Sequence, residues 1–235
     1  MVDNLLEVRN LVKSFGGVVP NDDICIDIPR GMIAGLIGPN GSGKTTLFNS
    51  ITGQHPVDRG SIKFEGQELL RLNPGEIARR GLLRTFQDAK VYAGMTCMEN
   101  MRISAPHAGA SPLDEFTLAS RALDDRAMGM LDFVGLHDKR DAAAGELSFG
   151  QCKLLEFGMA LMHEPKLLLL DEPTAGIHPR MIDGIIERLK RANAEFGVTL
   201  LVIEHNMDVI MSVARRIYCL DNGRVLAHGT PHEIS

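Results

Sequence analysis

Apolar residues along this chain follow two periods, and the switches between them mark out its elements. Ile24, Ile26 and Ile28 alternate with Cys25 and Asp27, the pattern of a half-buried strand, so residues 5–28 read as strands. Pro29-Arg30-Gly31 turns the chain into a continuous apolar run at 32–37, which reads as a strand buried on both faces. Residues 167–170, four leucines closing on Asp171-Glu172, and residues 198–203, closing on Glu204-His205, read the same way. Helical spacing appears at Leu47, Phe48 and Ile51, at Leu154, Leu155, Gly158 and Leu161, and at Ile182, Ile185, Ile186 and Leu189. Ser148 with Gln151 forms a capping-box pattern for the second of these helices, and the third opens at Pro179 and closes at Gly197. Ser111-Pro112 ahead of Asp114 and Glu115 predicts a further helix, running to Val134 and stopping at Gly135. Residues 60–66 read as a short edge strand, 74–80 as a helical turn and 83–87 as a strand. Asp221-Asn222-Gly223 reads as a hairpin turn between 217–220 and 224–227.

Buried strands separated by amphipathic helices predict an α/β fold. The expected plan is one domain, 1–235, with its core at 1–87 and 164–235. An antiparallel β lobe is expected beside the core, and about 88–163 form an inserted helical lobe with a loose patch at 104–111.

The longest apolar runs are far too short to span a bilayer, and Met1 to Glu7 does not resemble a signal peptide. A net charge of −5 argues against nucleic acid as the main partner. Cys25, Cys97, Cys152 and Cys219 show no metal-like or redox-like spacing and read as reduced thiols of a cytosolic chain.

The chemistry centres on Gly38-Pro39-Asn40-Gly41-Ser42-Gly43-Lys44-Thr45, a G-x-x-x-x-G-K-T segment placed between a strand and a helix that opens Thr45-Thr46. In that context glycines let backbone N–H groups cradle a triphosphate at a helix start. Lys44 then reaches the β- and γ-phosphates, and the Thr45 hydroxyl ligates Mg²⁺. Such a site needs a second carboxylate at the end of a neighbouring parallel strand. Asp171 fits as the metal partner and Glu172 as the group that polarises the attacking water.

Together these residues resemble the ATP-binding subunit of ABC transporters over nearly the whole chain. The resemblance makes 38–45 the Walker A segment, with Thr46 following, and 167–171 the Walker B strand. Gln87, after Arg84-Thr85-Phe86, matches the Q-loop residue that contacts Mg²⁺ and water. Leu147-Ser148-Phe149-Gly150-Gln151 matches the LSGGQ signature, which binds ATP held by a second subunit. His205 matches the switch histidine, and Phe15 falls where the family stacks an aromatic on adenine. Phe149 in place of glycine, and Ala175-Gly176-Ile177-His178-Pro179 close to AGLNP, are similar to the subfamily powering uptake of branched-chain amino acids. A urea or short-amide importer is the alternative, and a soluble non-transport ABC ATPase a more distant one. The resemblance implies ATP and Mg²⁺ as ligands and a homodimer or paralogous heterodimer at the cytoplasmic face of the plasma membrane. It also implies integral permease subunits, which residues 91–98 are a candidate to meet, and, indirectly, an extracytoplasmic solute-binding protein. Glu172, His205 and Gln87 are the expected catalytic set.

Overall fold

The β-period and buried-run segments build two separate sheets. A computed structural model describes residues 3–85, 90–106 and 118–234. The first sheet is antiparallel, in the order β2-β1-β4-β5, from β1 (Asn4–Phe15), β2 (Val18–Pro29), β4 (Arg59–Phe64) and the two-residue β5 (Gln67–Glu68). The strand expected at an edge within 60–66 is β4: the two-residue β5 folds back across Glu65-Gly66, both at positive φ, and covers only Lys63 and Phe64 on its outer side.

The second sheet runs β10-β9-β3-β8-β7-β6. Its strands are β3 (Ile33–Ile37), β6 (Leu82–Arg84), β7 (Leu167–Asp171), β8 (Thr199–Ile203), β9 (Arg216–Asp221) and β10 (Arg224–Gly229). All neighbours are parallel except the β9–β10 hairpin, where Asn222 and Gly223 both take positive φ, as an Asn-Gly hairpin turn requires. One expectation is corrected here. The strand carrying Asp171 is not the neighbour of β3, because β8 inserts between them. The connection leaving β7 through α6 (Pro179–Phe196) returns into the gap beside β3, and this puts Glu204-His205 next to the P-loop strand.

The chain divides into two units. The first holds Met1–Arg84, Lys166–Thr174 and Leu189–Ser235, with both sheets. Its core joins Leu6, Ile26 and Ile62 of the antiparallel sheet to Leu36, Leu169 and Leu201 of the parallel one, around Leu47, Phe48 and Ile51 of α1 (Lys44–Ile51). Also within it are α2 (Pro74–Arg79), α7 (Met207–Val213) and α8 (Pro231–Ile234). The second unit, Thr85–Pro165 with Ala175–Arg188, packs α3 (Cys97–Ile103), α4 (Leu118–Val134) and α5 (Phe149–Met162) on one another. Gly135 closes α4 at φ +75°, as the sequence predicts, whereas the expected start at Ser111-Pro112 lies outside the described residues.

Candidate active site

The register of the parallel sheet assembles the site. Leu36 of β3 lies opposite Ile203 of β8, and Ile203 lies opposite Asp171 of β7. The residues that follow each strand, from Gly38, from Glu204 and from Glu172, therefore emerge together at the carboxyl edge, where open α/β sheets bind ligands. Glu172 continues the pairing through its N–H to Ile203 O, 2.9 Å, with its own φ at +50°. A left-handed glutamate at such a position is stored strain that its surroundings must hold.

Two glycines of the loop are irreplaceable for steric reasons. A Cβ on Gly38 (φ +151°) would fall 2.1 Å from Leu220 O, and one on Gly43 (φ +105°) 1.9 Å from Pro20 O. The loop is thus pressed against the β9–β10 hairpin and β2, and Ser42 O accepts from Gly223 N–H at 3.1 Å while the Asn21 amide donates to Gly43 O at 3.1 Å. Gly43 is the N-cap of α1 and offers no capping side chain, so the N–H groups of the first helical turn are left for a ligand.

Lys44 is buried and donates from Nζ to Gly38 O at 2.8 Å and Pro39 O at 2.9 Å. Burial pushes its ammonium below the ordinary lysine pKa, while the Glu172 and Asp171 carboxylates work the other way. A cavity of about 230 Å³ opens beside it, lined by Pro20, residues 40–46, Glu172 and His205. The Nε2 of His205 lies 2.7 Å from Glu172 Oε1. Asp171 is buried, and the buried Arg84 donates to its Oδ2 at 2.6 Å, while the other arm of that guanidinium reaches Asn49 Oδ1.

These donors fit a nucleotide with its metal. Glycine N–H groups and an ammonium suit phosphate, and the Thr45 hydroxyl lining the cavity is a hard oxygen ligand of the kind Mg²⁺ takes; the Asp171 carboxylate is another, outside the lining residues and held by Arg84. Among the described residues no cluster of three His, Cys, Asp or Glu side chains could hold a metal by itself. Gln87 lies outside the described residues.

Residues 21–175 match the ABC transporter family. The chain belongs to that family. It is an ATP-binding, ATP-hydrolysing chain of the ABC transporters. It is 36% identical over 234 residues to the probable branched-chain amino acid transport ATP-binding protein LivG of Methanocaldococcus jannaschii, covering 97% of this chain and 91% of the relative. It is 34% identical over 237 residues to the high-affinity branched-chain amino acid transport ATP-binding protein BraF of Pseudomonas aeruginosa, covering 98% and 93%. The solved ADP conformation of MJ1267, an ATP-binding cassette of an ABC transporter, superposes with a TM-score of 0.86 at 36% identity, over 98% of this chain and 92% of that one.

The segment expected as the ABC signature, 147–151, lies in the second unit, at the start of α5. The Ser148 Oγ accepts from Gln151 N–H at 3.4 Å, and the Gln151 side chain accepts from Ser148 N–H at 2.9 Å, completing the capping box. Ser148 and Phe149 are exposed and Gly150 is buried, close to Met181 of α6. The Phe149 ring packs over Gly176, so the aromatic that replaces the family's glycine covers the segment leading to His178. His178 Nδ1 accepts from Arg180 N–H at 3.3 Å, a cap for the α6 helix.

Phe15 ends β1 exposed, edge-on to His55 at 5.3 Å between ring centres, with Lys13 Nζ 4.8 Å from its centroid. It does not line the cavity described above. In 91–98, Tyr92 is exposed, and the buried Asn100 amide ties the loop by donating to Tyr92 O, Met95 O and Thr96 O.

Sequence reading overlooked Arg84, Asn49 and Thr174, and passed over Glu204 as a strand end. The signal was present: a charged residue closing an apolar run, at Arg84 and at Glu204, is a candidate for a buried ion pair or hydrogen-bond hub.

Proposed function

We propose that this chain is one half of an ATP-driven engine for an importer of branched-chain amino acids. It works as a dimer at the cytoplasmic face of the membrane, with integral permease subunits and, through them, a solute-binding protein. The observation that carries this reading is the convergence of the P-loop, Glu172 and His205 at one sheet edge. It is supported by near full-length similarity to relatives named for branched-chain amino acid transport. No helix among the described residues is long and apolar enough to cross a membrane. The two units are taken as one ATPase domain with its helical lobe at about 88–163.

In this mechanism the loop at 38–46 holds the phosphates through its backbone N–H groups, Pro39 having none to give, and Lys44 exchanges its carbonyl partners for phosphate oxygens. Thr45 and Asp171, with Gln87, hold Mg²⁺, which when bound neutralises charge developing on the phosphates. Glu172 orients the attacking water and takes its proton. His205, already against Glu172, donates from its ring to the γ-phosphate. Phe15 stacks on the base. Ser148, Gly150 and Gln151 of a second copy close over the γ-phosphate, using the start of α5 as an anion site.

The test is assembly. Glu172→Gln removes the charge but keeps the shape, so with ATP the chain should elute from size exclusion as a dimer that turns over slowly. Adding Ser148→Arg should return it to monomer. A stable dimer in the double variant overturns the shared site. Reconstitution with the co-purifying membrane subunits should give ATP-dependent leucine uptake; uptake of urea instead would replace the substrate assignment.

A further inference from the structure

We propose that Glu204 is a positioning residue that yokes the loop carrying His205 to the loop carrying Glu172, so that the two catalytic side chains are set as a pair. The proposal rests on the catalytic reading of Glu172 and His205 given above.

Glu204 is the first residue after β8 and is only 3% exposed. Its Oε1 accepts from Thr174 twice, from the backbone N–H at 2.9 Å and the hydroxyl at 2.5 Å. Its Oε2 accepts from the N–H groups of His205 at 3.1 Å and Asn206 at 3.3 Å. Thr174 is itself buried and stands two residues beyond Glu172. One carboxylate therefore gathers four donors, two from each loop. His205 follows Glu204 directly and meets Glu172 at 2.7 Å.

The residue type decides between a pairing device and ordinary loop packing. Burying a carboxylate costs free energy, and a loop that only needed filling is served better by a smaller or apolar side chain. Only a carboxylate offers acceptors at both ends with no donor, which is what two pairs of N–H and O–H donors arriving from opposite loops require. The strained backbone of Glu172 (φ +50°) also needs a clamp close by in sequence, and Thr174 supplies it. Loss of the clamp displaces groups that orient water and phosphate, which affects the chemical step and spares the P-loop that binds nucleotide.

Glu204→Gln preserves shape but can accept at one end only, and turns an NH₂ group toward donors at the other. Its kcat should fall about 10- to 100-fold, the scale of a misplaced catalytic group, with KM for ATP within about twofold of wild type. On a His205→Ala background the same substitution should add less than about threefold, because residues acting as a unit are non-additive. Hydrogen exchange on the nucleotide-free chain gives a reading independent of turnover. The amides of Thr174, His205 and Asn206 should exchange faster, while those of Leu200, Leu201 and Val202 in β8 keep their protection. Thr174→Val should reproduce the loss of kcat and Thr174→Ser should restore it, which keeps the test available should the glutamine variant fold poorly. Wild-type kcat in Glu204→Gln, or a lowered kcat with unchanged exchange at Thr174 and residues 205–206, overturns the proposal. If wild type hydrolyses ATP and His205→Ala does not, such a result removes the yoke alone. If His205→Ala turns over like wild type, the reading of the catalytic pair fails and the yoke fails with it.

Discussion

The chain presents two helix starts suited to phosphate, and they are built in opposite ways. At α1 the N-cap is Gly43, left-handed and without a side chain, wedged against Pro20 O, and Lys44 is buried at the first turn. Gly43 gives that turn no side-chain cap. At α5 the N-cap is Ser148, exposed, and its capping box with Gln151 satisfies the turn from within. The first end is costly for the chain alone and is relieved by a ligand. The second is stable alone, and on the proposed mechanism it would exchange its weak 3.4 Å cap for a phosphate held by another subunit. On the proposed mechanism the difference separates binding from gating: one end would capture nucleotide in the single chain, and the other would report whether a second chain is present.

Lys44→Met breaks this comparison most directly. ATP affinity of the single chain, measured by calorimetry, should fall about 100-fold, since charge-assisted hydrogen bonds to phosphate are each worth roughly 1.5–3 kcal/mol. Thermal stability without nucleotide should hold or rise. The sign follows from burial: Lys44 has a folded pKa below its unfolded value near 10.5, so the native state binds its proton less readily. That penalty is fully present at neutral pH, below the folded pKa, and fades as pH rises toward 10.5. The stability advantage of Lys44→Met should therefore shrink as the melt is moved to alkaline pH, and an advantage that grows instead would refute the cost assigned to the P-loop end.

Ser148→Ala sharpens the other side. Loss of an N-cap costs about 1 kcal/mol, a Tm drop of roughly 2–4 °C for a chain of this size. ATP affinity of the single chain should not change. Weaker binding in the monomer would mean that the signature end acts without a partner.

An effect of similar size is expected away from both helix starts. Phe15→Ala should weaken ATP and GTP alike by roughly 1 kcal/mol, about fivefold, and Phe15→Tyr should not. Unchanged affinity in Phe15→Ala would leave the ring as a surface partner of His55 and Lys13.

Much of this was legible in the sequence because it is local. The strand–turn–helix of residues 32–51, the Ser148–Gln151 box and the Asn222-Gly223 hairpin depend on contacts within a few residues, where backbone sterics and capping leave little choice. Burial of 167–170 and 198–203 followed from apolar runs, the second broken only by Thr199, since such strands face helices or sheet on both sides. Only the tertiary structure decided which strands are neighbours. Strand order depends on crossovers of dozens of residues, to which periodicity is blind, so β8 between β3 and β7 could not be read in advance. From that order come the pairing of Arg84 with Asp171, 87 residues apart, and of Thr174 with Glu204, 30 apart. A buried charge finds its partner wherever the folded sheet brings one within reach, and for that reason the sequence by itself singled out Asp171, Glu172 and His205 as candidates without revealing what holds them in place.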